Sequence, residues 1–277
     1  MPVVEVPAGP IHYAEHGEGP PVVLLHGLLM DNTVWDRVLP LLPAGFRYLR
    51  PILPLGSHPE PMRPDAELDM HGMNVVIADF LAALELREVT LVHADWGGGL
   101  FLTAYGLDER VAQLVVFPCE AFDNFPPGLP GKLAVVALRV PGALPIVLRQ
   151  LRIPALRRAP FVYGRMARFP VPDDMMNSWT EPALRNPAIG RDARKYGRKL
   201  PAKRQLVADT EQLRNFTGRS LVLWSSAGRT MPREHGRRLA HLLPDARLVE
   251  IDDAYVLSML DQPAVVAKEL GNFLTGG

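Results

Sequence analysis

Residues 91–100 read "LVHADWGGGL": a buried apolar run that ends in a carboxylate and meets three consecutive glycines. A strand that breaks sharply into a helix leaves the side chain at the bend clear of both elements. Asp95 in that place can attack carbon to form an ester intermediate, or it can move a proton. The competing reading is an aspartate that caps the following helix. Gly97 and Gly98 would let that helix pack close behind the turn, and small neighbours tolerate the strained dihedrals such a bend needs. His93 stands two residues before Asp95, so on an ideal strand the imidazole and the carboxylate share a side. A sharp turn interrupts that alternation, which leaves His93 either a catalytic partner or a packed core histidine.

The rest of the chain offers few other reactive groups. His12, His16, His58, His71, His235 and His241 are scattered, and neither they nor the single cysteine, Cys119, show metal-ligand spacing. No metal and no cofactor is expected. A lone cysteine cannot form an internal disulfide, which fits a reducing compartment. The start "MPVVEVPAGP" lacks the basic and long apolar segments of a signal peptide, and no apolar run reaches about 18 residues. A cytoplasmic location with no membrane partner is the default expectation. Thirty basic residues balance thirty acidic ones, so no overall field draws nucleic acid. The tract "RQLRIPALRRAP" is locally basic and reads as a solvated helical face. Nothing bears on the oligomeric state.

The elements that must position Asp95 alternate. Residues 3–6 and 11–14 flank "PAGP" as an edge hairpin, and "PPVVLLHG" is a continuous apolar strand pattern. Asp31 or Asn32 is expected to cap a helix carrying Val34, Trp35, Val38 and Leu39. Strands at 46–53, 89–94 and 112–117 alternate with helices at 73–86 and 97–105, the pattern of a parallel sheet covered on both faces. That pattern stops after Phe117. From 120 to 215 the chain is rich in proline and arginine, with helical segments at 130–140, 145–152 and 175–184 and no clear buried strand. Strand, helix, strand and helix return at "SLVLWSS", 233–243, "ARLVEID" and 263–274. The expected organisation is an α/β core of 1–119 and 216–277 with a helical cap of 120–215 over the carboxyl ends of the strands.

The strand, tight turn and helix around "HADWGG" resemble the nucleophile elbow of α/β-hydrolases, in the form found in haloalkane dehalogenases and epoxide hydrolases. The resemblance spans nearly the whole chain: "LLHGLL" at the oxyanion loop, an insertion where the cap belongs, "LVLWSSAGR" at the acid-bearing strand and "IDDAYVLSMLDQP" at the histidine loop. Wording such as "LPLGSHPEPMRP" and "CEAFDNFPP" is also similar to a group of bacterial α/β-hydrolase-like proteins. The resemblance implies an α/β-hydrolase fold, a mostly parallel central sheet flanked by helices with a helical cap insertion. It makes Asp95 the nucleophile and the amides of Trp96 and of Leu28 or Leu29 the anion-stabilising donors, in a loop that includes His26 and Gly27. His26 is expected to brace that loop. Trp96 matches a halide-binding tryptophan, although "HGLL" lacks the asparagine often paired with it. Tyr163 and Tyr196 invite comparison with cap tyrosines that polarise an epoxide, and Phe161, Phe169, Met166, Met175 and Met176 are expected under the cap, roofing an apolar pocket.

Two family positions depart from the pattern. The acid position, four residues after Trp224, is Gly228, and the base-histidine position is Val256. Glu120 and Asp123 follow the sixth strand, an alternative location for the acid in some dehalogenases. Without a histidine an Asp95 ester has no base to activate water, help worth roughly 10²- to 10⁴-fold. Three readings follow: Asp95-centred acid-base or electrostatic chemistry on a small apolar molecule (isomerisation, elimination, cyclisation or decarboxylation), hydrolysis of an epoxide, halide or ester with a relocated base such as His93, or non-catalytic ligand binding. The expected site is Asp95, His93 and Glu120 for catalysis, with His26, Gly27, Leu28, Leu29, Trp96, Tyr163 and Val256 around the substrate.

Overall fold

The apolar runs become the strands of one sheet. The computed structural model describes residues 1–276, and in it β1 (Val3–Val6), β2 (Gly9–His16), β3 (Pro21–Leu24), β4 (Arg47–Pro51), β5 (Val89–Asp95), β6 (Val111–Cys119), β7 (Arg219–Ser225) and β8 (Ala246–Ile251) lie in the order β1-β2-β4-β3-β5-β6-β7-β8. β1 and β2 form the antiparallel edge hairpin, β2 runs antiparallel to β4, and every pairing from β4 to β8 is parallel. All seven residues of β5 are buried, Thr90, His93 and Asp95 among them, which is why the strand shows no alternation of apolar and polar faces.

Helix α1 (Met70–Ala83) begins where Asp69 accepts a hydrogen bond from the Gly72 amide at 2.9 Å, satisfying one of the free donors of its first turn. Between β6 and β7 the described residues form helices and no strand: α2 (Gly128–Arg139), α3 (Ala143–Leu151), α4 (Pro154–Arg157), α5 (Asp173–Arg185), α6 (Pro187–Arg198) and α7 (Lys203–Glu211). The start of α6 was written in the sequence, since Asn186 caps it through the Ala188 amide with Pro187 at the first helical position. α8 (Arg233–Leu242), α9 (Ser258–Asp261) and α10 (Pro263–Leu274) complete the chain.

Two expected helices are corrected. Asp31 does cap its turn, accepting from the Thr33 amide at 2.8 Å, but 32–41 forms two 3₁₀ turns, Asn32–Trp35 and Leu39–Leu41, with Pro40 in the second. Residues 97–105 also form 3₁₀ turns, Gly99–Phe101 and Thr103–Tyr105, entered through Gly98 at φ +82°. Three glycines supply no side chains to propagate an α-helix and carry its largest backbone entropy cost outside proline.

Buried carboxylates tie the inserted helices to the sheet. Asp31 accepts from the Trp179 indole at 3.1 Å, Asp192 from the Met62 amide at 2.8 Å, and Asp261 from the Arg168 and Phe169 amides at 3.0 and 3.1 Å. Asp31, Met62 and Asp261 follow β3, β4 and β8, so each pair joins 120–215 to a segment beyond the carboxyl end of one of those strands.

Candidate active site

Asp95 is the last residue of β5 and takes φ +54°, the left-handed region that a branched or bulky residue rarely enters. The bend turns its carboxylate across the backbone of Gly27. A Cβ on Gly27 would lie 2.2 Å from Asp95 Oδ2 and 2.7 Å from Asp95 Cβ, so glycine is required there by contact rather than by dihedral angle. Beyond the carboxylate lies a cavity of about 320 Å³. Leu28, Leu29, Met30, Asp95 and Trp96 form its floor; α2, α3 and the segment 161–166 form its walls and roof. Of its lining residues only Asp95 can carry a charge near neutral pH, and no histidine contributes to it.

That setting perturbs the carboxyl. Burial raises the Asp95 pKa from 3.8 to about 7; the Trp96 amide, hydrogen-bonded to the carboxylate, opposes this, and the nearby Glu120 charge adds to it. Desolvation wins. The amides expected around a developing anion are partly committed: Trp96 donates to Asp95 itself, and Leu29, at φ +56°, donates to Leu55 O at 3.0 Å. Leu28 donates to no turn or loop carbonyl among the described residues. The Met30 amide likewise donates to no turn or loop carbonyl among them, so the loop leaves both amides without a backbone partner.

His93 and Glu120 stand behind the bend rather than in the cavity. His93 is fully buried, its Nε2 lies 3.3 Å from Glu120 Oε2, and its ring packs against Gly97 and Gly99. The sharp turn at Asp95 ends the strand alternation, so the imidazole faces the 3₁₀ turns and not the substrate side. Glu120 Oε1 accepts from the Gly98 amide at 2.8 Å, which clamps the turn after Asp95. This corrects the expectation of a pocket-facing acid and base. Cys119 joins the two, the ligand atoms lying within 4.8 Å of one another. His93 and Glu120 already engage each other, and burial pushes the Cys119 thiol well up, away from the thiolate a metal needs. Glu120→Gln is expected to lower the Asp95 pKa by removing a neighbouring negative charge, measured by following the Asp95 carboxyl carbon through a pH titration; an unchanged midpoint would show that burial alone sets it.

His26 is a brace. Its Nδ1 donates to Gly27 O and its Nε2 accepts from the Leu53 amide, both at 2.8 Å, a network that assigns the neutral Nδ1–H tautomer. Burial lowers its pKa to about 4, so it stays neutral and holds the loop that carries Gly27 and Leu28. It does not line the cavity.

Residues 20–263 match the alpha/beta hydrolase fold family. The chain belongs to that family. A soluble epoxide hydrolase of Corynebacterium sp. (strain C12) is 33% identical over 123 residues, 42% of this chain and 42% of that protein. A haloalkane dehalogenase of Agrobacterium fabrum (strain C58 / ATCC 33970) is 33% identical over 113 residues, 39% of this chain and 35% of its own length. The matched stretches thus span less than half of either relative. Among solved structures, the haloalkane dehalogenase DatA from Agrobacterium tumefaciens C58 superposes with a TM-score of 0.77 at 22% identity, covering 99% of this chain and 96% of its own. A thermophilic esterase from Thermogutta terrifontis gives 0.70 at 21% identity, covering 99% and 98%. At those identities the likeness is one of fold, and that fold hosts more than one chemistry.

The remaining positions of this α/β-hydrolase chain divide between cavity and core. Val256 is buried but does not line the cavity, a correction to its expected substrate contact. Gly228 leaves room, the nearest atoms to an added Cβ being 3.7 Å away. Trp96 lies on the cavity floor with its indole N–H unpartnered, its ring edge-on to Phe125 at 4.8 Å. Tyr163 lines the cavity and donates to Leu29 O at 3.4 Å, whereas Tyr196 packs against Trp96 behind it with an unpartnered hydroxyl. Burial pushes both phenols up, so both stay protonated. Phe161 and Met166 line the cavity; Met175 and Met176 are buried in the core and Phe169 is exposed, so only part of the expected roof reaches the ligand space. The helix expected at 145–152 is present as α3, but its role as a cavity wall through Ala143, Val147 and Gln150 was missed, because such residues on a surface helix carry no chemical signal.

Proposed function

We propose that this chain is an enzyme that uses Asp95 for proton transfer on a small apolar molecule. One observation carries the reading: the Asp95 carboxyl, with its pKa raised to about 7, faces an apolar cavity to which no histidine contributes. A base poised near the working pH combines a useful ionised fraction with a strong enough drive to take a proton. Asp95 removes a proton from carbon beside a carbonyl, the electron pair moves onto the carbonyl oxygen, and the Leu28 amide stabilises that oxyanion. Where the substrate carries a carbon–carbon double bond β,γ to the carbonyl, the same carboxyl returns the proton to the γ-carbon as the carbonyl re-forms and the double bond moves to the α,β position, so the net change is an isomerisation. Exchange of the Asp95 proton with solvent lets the carboxyl return deuterium in D₂O, and elimination or decarboxylation draws on the same group.

A second reading is favoured by the relatives and by the unpartnered Trp96 indole N–H. Asp95 would displace a halide or open an epoxide to form an ester. Gly228 and Val256 stand where the acid and base belong, so the triad is degenerate in this reading and the ester accumulates. A cyclic ketone with an acidic α-proton, incubated in D₂O, separates the two. The account expects deuterium at the α-carbon above the background left by Asp95→Asn. With a 1-haloalkane or an epoxide it expects at most one slow turnover, with an adduct on Asp95 visible by intact mass. Sustained hydrolytic turnover would overturn it.

A further inference from the structure

The inserted helices carry a charge and an exposure pattern that catalysis does not use. Residues 124–172 contain eight lysines and arginines and no aspartate or glutamate, in a chain whose overall formal charge is zero. The remainder is therefore net negative by the same amount, and the molecule has a cationic end. Arg157 and Arg168 pair with Asp173 and Asp253. Among the described residues Lys132, Arg139, Arg149, Arg152, Arg158 and Arg165 form no salt bridge, and all of these but Arg165 are exposed. A solvated surface ordinarily intersperses both signs; this one does not.

The same stretch holds nine of the thirteen exposed large apolar side chains. On α2 they form a single stripe, Leu129, Leu133, Val136 and Val140, at spacings of four, three and four residues, each between 40% and 53% exposed. Lys132 stands within that stripe. On α3 the exposed residues are Ile146, Arg149 and Gln150, followed by exposed Ile153 just beyond the helix. Leu133, Val136 and Phe161 are both exposed and part of the cavity lining, so the apolar surface runs without a break into the mouth of the cavity. A monomer in water rarely leaves so continuous an apolar patch uncovered.

We propose that this face seats the protein on an anionic lipid surface, with the mouth of the cavity turned toward the acyl chains. The apolar stripe enters the interface, and the lysine and arginine stems reach along it to place their charges among lipid phosphates. Contact of this kind is peripheral: no helix among the described residues is long and apolar enough to cross a membrane. The charge selects this occupant over a second copy of the chain, because pairing this face with itself would bring two sets of unpaired cations together. It also gives an apolar substrate, which partitions into lipid, a route to Asp95 that avoids water. The inference does not depend on the chemistry at Asp95, since its readout is binding.

The test is sedimentation with vesicles at low ionic strength. The protein is expected to bind an equimolar mixture of phosphatidylcholine and phosphatidylglycerol roughly tenfold or more tightly than phosphatidylcholine alone, and to be released by salt. Two variants that leave the cavity lining intact should each lose that binding while keeping the parent melting temperature: Lys132→Glu with Arg149→Glu and Arg158→Glu, and Leu129→Ser with Val140→Ser. The proposal is overturned if the protein ignores the mixed vesicles, or if it binds them equally well with both sets of substitutions. It is also overturned if ultracentrifugation shows a dimer that the same substitutions dissociate while vesicle binding is absent.

Discussion

Asp95→Asn is expected to abolish turnover and at the same time to stabilise the protein, by an amount that depends on pH. The Asp95 carboxyl sits at about 7 in the folded chain against 3.8 when exposed. Between those values the unfolded chain releases a proton that the folded chain keeps, so stability is lost as pH rises through that window and the full cost stands above it. A displacement of this size corresponds to about 4 kcal/mol, an upper figure because the folded site relaxes when it ionises. Asparagine is nearly isosteric and cannot ionise. The variant should therefore melt several degrees above the parent at about pH 8 and close to it at about pH 4. Ligand binding to the apolar cavity should persist, since its walls are unchanged. An equal melting difference at both pH values would show that the carboxyl is not perturbed, and a loss of folding would restore the helix-capping role for this residue.

Gly27→Ala is the second large effect expected. Its Cβ would meet three atoms of Asp95 at 2.2, 2.7 and 2.8 Å, closer than real contacts allow. Asp95 cannot simply swing aside, because its backbone is held at φ +54° by the turn that Glu120 clamps through Gly98. The clash should cost about 1–3 kcal/mol as overpacking. The displaced carboxyl should lose activity by roughly 10²-fold, as catalytic groups moved by an ångström do. Gly228→Ala is the control: with 3.7 Å of clearance it should change neither. A Gly27→Ala protein with parent stability and activity would contradict the close approach on which the site geometry rests.

Much of the architecture was legible because burial on both faces leaves a plain mark. The apolar-rich segments of β3, β5 and β6, separated by helical patterns, signalled central parallel strands, and the loss of that pattern after β6 marked the helical stretch that follows. Short 3₁₀ turns leave no such mark. At 97–105 the glycines that signalled the bend are the same residues that kept a regular helix from forming. The candidate site divided along a similar line. Asp95 was legible because a carboxylate beside glycines at a strand end has few structural uses, whereas the direction of His93 depended on where within the bend the alternation stops. Which amides remain free was invisible for another reason. The Leu29 hydrogen bond to Leu55 joins two loops, and no local pattern encodes that pairing. The cationic end was present in the sequence as a stretch with no acids, but its apolar partners became visible only when α2 placed Leu129, Leu133, Val136 and Val140 on one outward face.

The central claim is that Asp95 is a carboxyl poised near neutrality without an imidazole beside it. Carbon-detected NMR of protein labelled at the aspartate carboxyl carbons measures this directly, the Asp95 signal being the one absent from Asp95→Asn. The account predicts a single titration with its midpoint near 7. A midpoint near that of an exposed aspartate, 3.8, would contradict it and leave Asp95 permanently ionised, a nucleophile or a structural cap and not a carrier of protons.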